Sequence, residues 1–235
     1  MKTDIDEVKR VAKAMLYLPV EPSAEFGGIF VNHPFYDSIF RQHPVTGEMI
    51  NIFSDAEGRK TVEKRLEEAI DRCEDTIAVM SLIRTPYYMA FLKFAKPHMA
   101  RADFARAFAE AWVNEENPNQ DPNLPIKTAV KWFRSADKED LMQEDELAVY
   151  HALPERFTLY RGVAVGRNPD GLSYTRNKEI ASWFAHRFDT ATQKGYLRSA
   201  KVSREEVLCY FNRRDEDEYV CYPRALEKGR QDGDD

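Results

Sequence analysis

Arg161 sits in an otherwise apolar β-type run, Phe157-Thr158-Leu159-Tyr160-Arg161-Gly162-Val163. An unpaired buried charge is costly, so a guanidinium between Leu159 and Val163 must face something anionic. One of the chain's many carboxylates would satisfy it, and so would a phosphate or ribose-phosphate held in the guanidinium fork. Gly162 beside it has no Cβ and lets a ligand approach the backbone closely. Ser173 and Thr175 follow in a second β-type run, Gly171-Leu172-Ser173-Tyr174-Thr175. Side chains two apart on a strand share a face, so both hydroxyls project together, and a carboxylate across a cleft would give them a partner. Thr175 or Asn177 also has the form of a helix N-cap, which leaves Ser173 for the site.

Glu216 and Glu218 alternate just before the apolar Tyr219-Val220-Cys221-Tyr222. In an extended strand end they point to one side. An acidic run such as Asp215-Glu216-Asp217-Glu218 is by itself most often a solvated turn. Its company changes the reading: a guanidinium, two hydroxyls and two carboxylates fall in order within one short region. His151 and His186 are isolated, and no His or Cys cluster suggests a metal.

Arg161-Gly162, Ser173-Tyr174-Thr175 and Glu216-Asp217-Glu218 resemble, in order, the signature elements of the Arg–Ser–Glu ADP-ribosyltransferase family. The helix carrying Ala181, Phe184 and Ala185 is also similar to the family's. The layout resembles phage-type proteins as well. The resemblance implies NAD as the cofactor, used as a substrate. It implies that Arg161 grips the NAD phosphate, that the Gly162 backbone faces the nicotinamide amide, and that Ser173 supports the site. Thr175 and Phe184 would line the NAD site. Glu218 would bond the nicotinamide ribose 2′-hydroxyl, and Glu216 would orient or deprotonate the acceptor. A glutamate two residues before the catalytic one is associated in the family with arginine acceptors. The implied activity is mono-ADP-ribosyl transfer from NAD to a protein acceptor, an arginine among the candidates.

The chemistry suits these residue types. Breaking the nicotinamide–ribose bond develops positive charge on the sugar, as glycoside hydrolysis does. A fixed carboxylate stabilises that charge where it develops. An arginine holds the anionic dinucleotide still while the bond lengthens. Fold alone never assigns function, and a protein-binding module that keeps the fold with the activity lost is the rival reading. An enzyme of the same fold could also hydrolyse NAD or modify a nucleic acid. Lys201, Arg204, Arg213 and Arg214 offer a modest basic cluster, for which a solvated face is the simpler explanation.

The elements that must position these groups read as α+β. Residues 1–153 form a mostly helical region packed on a small, mainly antiparallel split sheet of ADP-ribosyltransferase type. Residues 154–226 form the β-rich catalytic region, and the charged tail 227–235 frays. Apolar spacing predicts a helix from Ile5 to Tyr17, then a loop with a short hairpin between Glu21 and Ile52. Ser54 with Glu57 has capping-box form and opens one long helix from Asp55 to Ile83. Pro86 opens the next helix, Tyr87 to Ala95. Further helices follow at Ala100–Val113, Ile126–Ser135 and Glu144–Leu153, with a Pro- and Asn-rich break from Asn114 to Pro125. The stripe Phe104, Phe108 and Trp112 reads as a core face, because amphipathic helices pack that face inward. The last helix, Asn177 to Phe188, packs its Trp183–Phe184 pair near the strand it follows.

The 235 residues, 43% hydrophobic and 12% aromatic, can fill a core, which argues against global disorder. Lys+Arg 34 against Asp+Glu 40, a net charge of -6, argues against broad nucleic-acid wrapping. The three cysteines show no metal or disulfide spacing and suit a reducing, cytoplasmic setting. The acidic start, Met1-Lys2-Thr3-Asp4-Ile5-Asp6-Glu7, does not have signal-peptide form. No uncharged apolar run approaches the ~18 residues of a membrane helix.

Overall fold

A computed structural model describes residues 2–223. The expectation of a frayed tail at 227–235 lies outside the described residues. The chain divides into two compact units, Met1–Glu115 and Glu116–Asp235.

The first unit is mainly helical. The Asp4 carboxylate accepts from Glu7 N at 3.2 Å and caps α1 (Ile5–Leu16), which buries Val8, Ala12, Met15 and Leu16. A short antiparallel hairpin follows, β1 (Phe40–Gln42) with β2 (Met49–Asn51). The next helix differs from expectation at both ends. Its cap is Asp55 rather than Ser54, with the Asp55 side chain accepting from Gly58 N at 2.9 Å, and α2 spans Ala56–Arg72. The expected single helix stops there because Cys73 turns extended, and Asp75 starts a second helix, α3 (Thr76–Ser81). An aspartate that accepts from a free amide, here Ala78 N at 2.8 Å, competes with helix continuation and favours a new start. Pro86 lies in a 3₁₀ turn that leads into α4 (Tyr88–Ala95). In α5 (Arg101–Asn114) the Phe104 and Phe108 rings stack at 5.9 Å and Phe108 meets Trp112 edge-on at 6.1 Å, all buried. The stripe is core.

The second unit is α+β. Three helices open it: α6 (Ile126–Ser135), α7 (Lys138–Leu141) and α8 (Glu144–His151). These helices, which the sequence groups with those before them, belong to this unit. Then come β3 (Arg156–Val163), β4 (Ser173–Tyr174), α9 (Lys178–His186), β5 (Tyr196–Ser203), β6 (Val207–Phe211) and β7 (Glu218–Cys221). β3 pairs antiparallel with β5, and β4, β7 and β6 form a separate antiparallel sheet in that order. Every residue of β6 is buried. On one side Phe211 meets Phe133 of α6 at 6.4 Å, and on the other Tyr210 meets Tyr219 at 4.8 Å. Continuous burial on both faces explains why Val207-Leu208-Cys209-Tyr210-Phe211 carries no alternation. Among the described residues no helix is long and apolar enough to cross a membrane.

Candidate functional site

The two sheets of the second unit meet at one residue pair. Tyr160 N donates to Thr175 O and Thr175 N to Tyr160 O, both at 2.8 Å. In an antiparallel ladder the next such pair would be Gly162 with Ser173. That pair does not form. The Arg161 guanidinium takes its place, donating through Nη1 to Ser173 O at 2.7 Å and through Nη2 to Asn168 O at 2.8 Å.

Arg161 is only 7% exposed, and its Cζ stands 6.0 Å from the Tyr174 ring centre. Burial lowers its pKa, while the charges of Tyr174 and Glu218 act in the opposite direction. Of the two anionic partners expected, the carboxylate is corrected: among the described residues the guanidinium bonds two main-chain carbonyls, whose dipoles satisfy it. Among the described residues its Nε is buried without a hydrogen bond. A Cβ on Gly171 would strike this guanidinium, which accounts for the glycine there.

Gly162 also serves another neighbour than the one expected. A Cβ there would collide with Ala181 O and Ala185 N, so the close approach is made by the α9 backbone.

Ser173 is held by a residue that local sequence gives no reason to single out. Asn119 Nδ2 donates to Ser173 Oγ at 2.8 Å, and Asn119 Oδ1 accepts from Leu172 N at 2.5 Å. Asn119 lies in the Pro- and Asn-rich break and is itself buried. One amide thus fixes both the backbone and the hydroxyl of the strand.

Thr175 braces the start of α9: its Oγ1 accepts from Asn177 N at 3.0 Å. The cap itself is Asn177, which accepts from Glu179 N and Ile180 N at 2.9 and 3.1 Å. The Thr175 hydroxyl does find a carboxylate, and that carboxylate is Asp217, at 3.0 Å. Asp217 also accepts from Arg176 N at 3.3 Å and from the Tyr210 hydroxyl at 3.1 Å.

The expected alternation of Glu216 and Glu218 is not present. Asp215 (φ 56) and Asp217 (φ 48) are both left-handed, so the backbone reverses through this segment and β7 begins only at Glu218. A residue at positive φ cannot continue a pleated strand. Glu216 sits in the turn, 3.6 Å from Arg214 Nε. Glu218 is half-buried opposite Phe211. Cross-strand partners share a face, so Glu218 and Val220 lie on the side of Ser173. Tyr174 and Tyr219 lie on the other side. The structure thus joins Arg161 to Ser173 through the main chain and sets Glu218 on the neighbouring strand, while Glu216 stands apart from them.

The turn is anchored from below by Glu146, 1% exposed on α8. Its carboxylate accepts from Asn212 N at 2.9 Å and Gln143 N at 2.8 Å, and pairs with Arg213 at 3.4 Å. Arg213 also bonds Leu141 O at 2.9 Å, and Arg204 bonds Leu153 O, so these two arginines act structurally rather than as a solvated basic face.

The aromatic pair on α9 departs from expectation too. Trp183 is 61% exposed, with Phe184 edge-on to it at 4.9 Å. The Arg187 guanidinium lies over three rings: Trp183 at 5.8 Å, Phe184 at 5.0 Å and Phe188 at 4.7 Å. Among the described residues its Nε is buried without a partner. Burial, then Arg167, lowers its pKa, and Glu116, Glu216 and Arg214 also contribute to its field. A guanidinium on an aromatic shelf beside a second arginine is suited to an anion attached to a planar ring.

The chain matches no family model, no curated protein and no solved structure.

Proposed function

We propose that the second unit is an ADP-ribosyltransferase-type catalytic domain that moves ADP-ribose from NAD to a protein acceptor, an arginine among the candidates. The observation that carries this reading is the junction of two small antiparallel sheets. A buried arginine stands in the split, bonded to the strand of Ser173, and Glu218 heads the next strand. In this reading Arg161 holds the split open at a fixed width and adds positive potential for the NAD phosphates. Ser173, fixed by Asn119, keeps β4 in place. Glu218 bonds the ribose 2′-hydroxyl and stabilises the positive charge that develops as nicotinamide leaves. Glu216, at the turn, meets the acceptor. Thr175 acts through α9 and Asp217, and Phe184 supports the shelf on which Arg187 meets a phosphate. The proposed setting is the cytoplasm, and nucleic acid is not the favoured acceptor.

One observation favours a second reading, a binding module without activity: both Nη atoms of Arg161 already donate to carbonyls. Incubation of the protein with labelled NAD and a cell lysate separates the two. A labelled protein that loses its label under arginine-specific cleavage supports transfer. Released nicotinamide without a labelled protein points to NAD hydrolysis, and the absence of both supports the binding module.

A further inference from the structure

The two outer strands of the second unit treat their free edges differently. The outer edge of β6 is closed by side chains: Lys138 bonds Leu208 O, the Tyr150 hydroxyl bonds Val207 O at 3.4 Å, and Tyr210 N meets Met142 Sδ at 3.3 Å. On β5 the direction of each main-chain group follows from the register. Tyr160 spends both its N–H and C=O on Thr175, so it gives none to its partner on β5, Ser199. Ser199 therefore turns its own N–H and C=O away from β3, as do Leu197 and Lys201 two residues to either side. Ser203 shares this direction, and its N–H is taken by Glu206 Oε2 at 2.7 Å. The outward groups at Leu197, Ser199 and Lys201 have no such cover among the described residues, and Ser199 and Lys201 are exposed.

An uncovered edge of this kind is a template for one more strand. A cavity of about 410 Å³ opens at its end, lined by Arg156, Phe157, Thr158, Lys201, Val202, Ser203 and Glu206. Arg156 and Lys201 are exposed there and form no ion pair among the described residues. The one carboxylate, Glu206, is engaged by both Ser203 N and Ser203 Oγ, the latter at 3.0 Å. Arg156 and Lys201 lie on one face of the β3–β5 ladder with Thr158 and Ser203, so the two cations, without an ion-pair partner among the described residues, fit an acidic side chain.

We propose that β5 is a docking edge for an extended acidic segment of a partner protein. That segment adds as a strand against Leu197, Ser199 and Lys201 and places a carboxylate between Arg156 and Lys201. Main-chain pairing supplies affinity in this mode, and the cationic pocket supplies selectivity. Lysine on an edge also discourages indiscriminate pairing, which leaves acidic strands as the matched class. The inference concerns partner recognition and does not depend on the proposed transfer chemistry.

The test uses a fluorescent, acetylated and amidated heptapeptide of alternating glutamate and valine, titrated into the whole protein and followed by anisotropy. Its counterpart with lysine for glutamate is the comparison. Ser199→Pro removes only an outward N–H and leaves the β3 ladder intact, and Lys201→Glu reverses the rim charge. The expected result is saturable binding of the acidic peptide alone, weakened roughly tenfold or more by each substitution. If Ser199→Pro fails to fold by circular dichroism, Lys201→Glu carries the test. Absence of saturable binding, equal binding of both peptides, or binding indifferent to Lys201→Glu would overturn the proposal. So would a dimer, seen in sedimentation, that Ser199→Pro dissolves.

Discussion

Arg161 Nη1 donates to the main-chain carbonyl of Ser173 at 2.7 Å, and this side chain fills the ladder position that Gly162 would otherwise take. The bond links two sheets that share one other pair. Arg161→Ala leaves the Ser173 and Asn168 carbonyls without their donor and is expected to cost about 3 kcal/mol or more, from two charge-assisted hydrogen bonds. Arg161→Lys keeps the charge but cannot span both carbonyls, so it should recover only part of that loss. Urea unfolding of the two variants against wild type measures both.

His33 gives the first unit a pH dependence. It is fully buried, its Nδ1 accepts from Phe35 N at 3.1 Å, and its Nε2 lies 3.1 Å from Leu18 O. That pattern needs the neutral ring with its proton on Nε2, since protonating Nδ1 breaks the bond to Phe35. Burial is the main cause that lowers its pKa from 6.5 to about 4. Between those values the unfolded chain binds the extra proton and the folded one does not, so stability rises with pH in that window. The contribution is complete above about pH 6.5 and disappears as pH falls toward 4, a loss on the order of 3 kcal/mol. His33→Gln should flatten unfolding free energy against pH between those limits. An unchanged slope would show that other groups govern it.

Asp217 collects three donors at left-handed backbone geometry. Asn tolerates that geometry and retains one acceptor, whereas Ala does neither. Asp217→Ala is expected to cost about 1–3 kcal/mol through the unpaired Thr175 and Tyr210 hydroxyls, and Asp217→Asn less. Burial and then Asp217 raise the Tyr210 pKa, so ultraviolet titration of Asp217→Asn should show a tyrosine moving back toward its ordinary value.

Glu146 holds the turn before β7 through Asn212 N. Glu146→Gln turns one acceptor into a donor facing Gln143 N and Arg213, at a cost of about 1.5–3 kcal/mol for the lost charged bond. Hydrogen exchange should quicken at the Asn212 and Asp217 amides ahead of the β3 amides. Uniform exchange across the unit would mean that the turn is not a separately anchored element.

Much of this architecture is written locally. The α1 and α6 stripes, the capping run at Asn177 and the apolar β3 run all declare themselves within a dozen residues or so. The order Arg161, Ser173, Glu218 is likewise legible, and the structure brings the first two into contact. The rest depends on distant partners. Asn119 reaches Ser173 across 54 residues, and nothing in Pro118-Asn119-Gln120 announces it. Glu146 reads as one more acid in Glu144-Asp145-Glu146 until β6 and its turn are folded over it. β5 is an edge strand of mixed polarity, so its alternation is weak. Period-2 reasoning failed at Glu216 because it assumes extended backbone, and Asp215 and Asp217 are left-handed.

Release of nicotinamide from NAD by the purified chain, with candidate acceptor proteins present, decides whether Glu218 heads a transferase site. Wild type should release nicotinamide and Glu218→Gln should lose on the order of a hundredfold of that rate, with circular dichroism unchanged. Equal release by both proteins, or none from wild type, would contradict that role for Glu218.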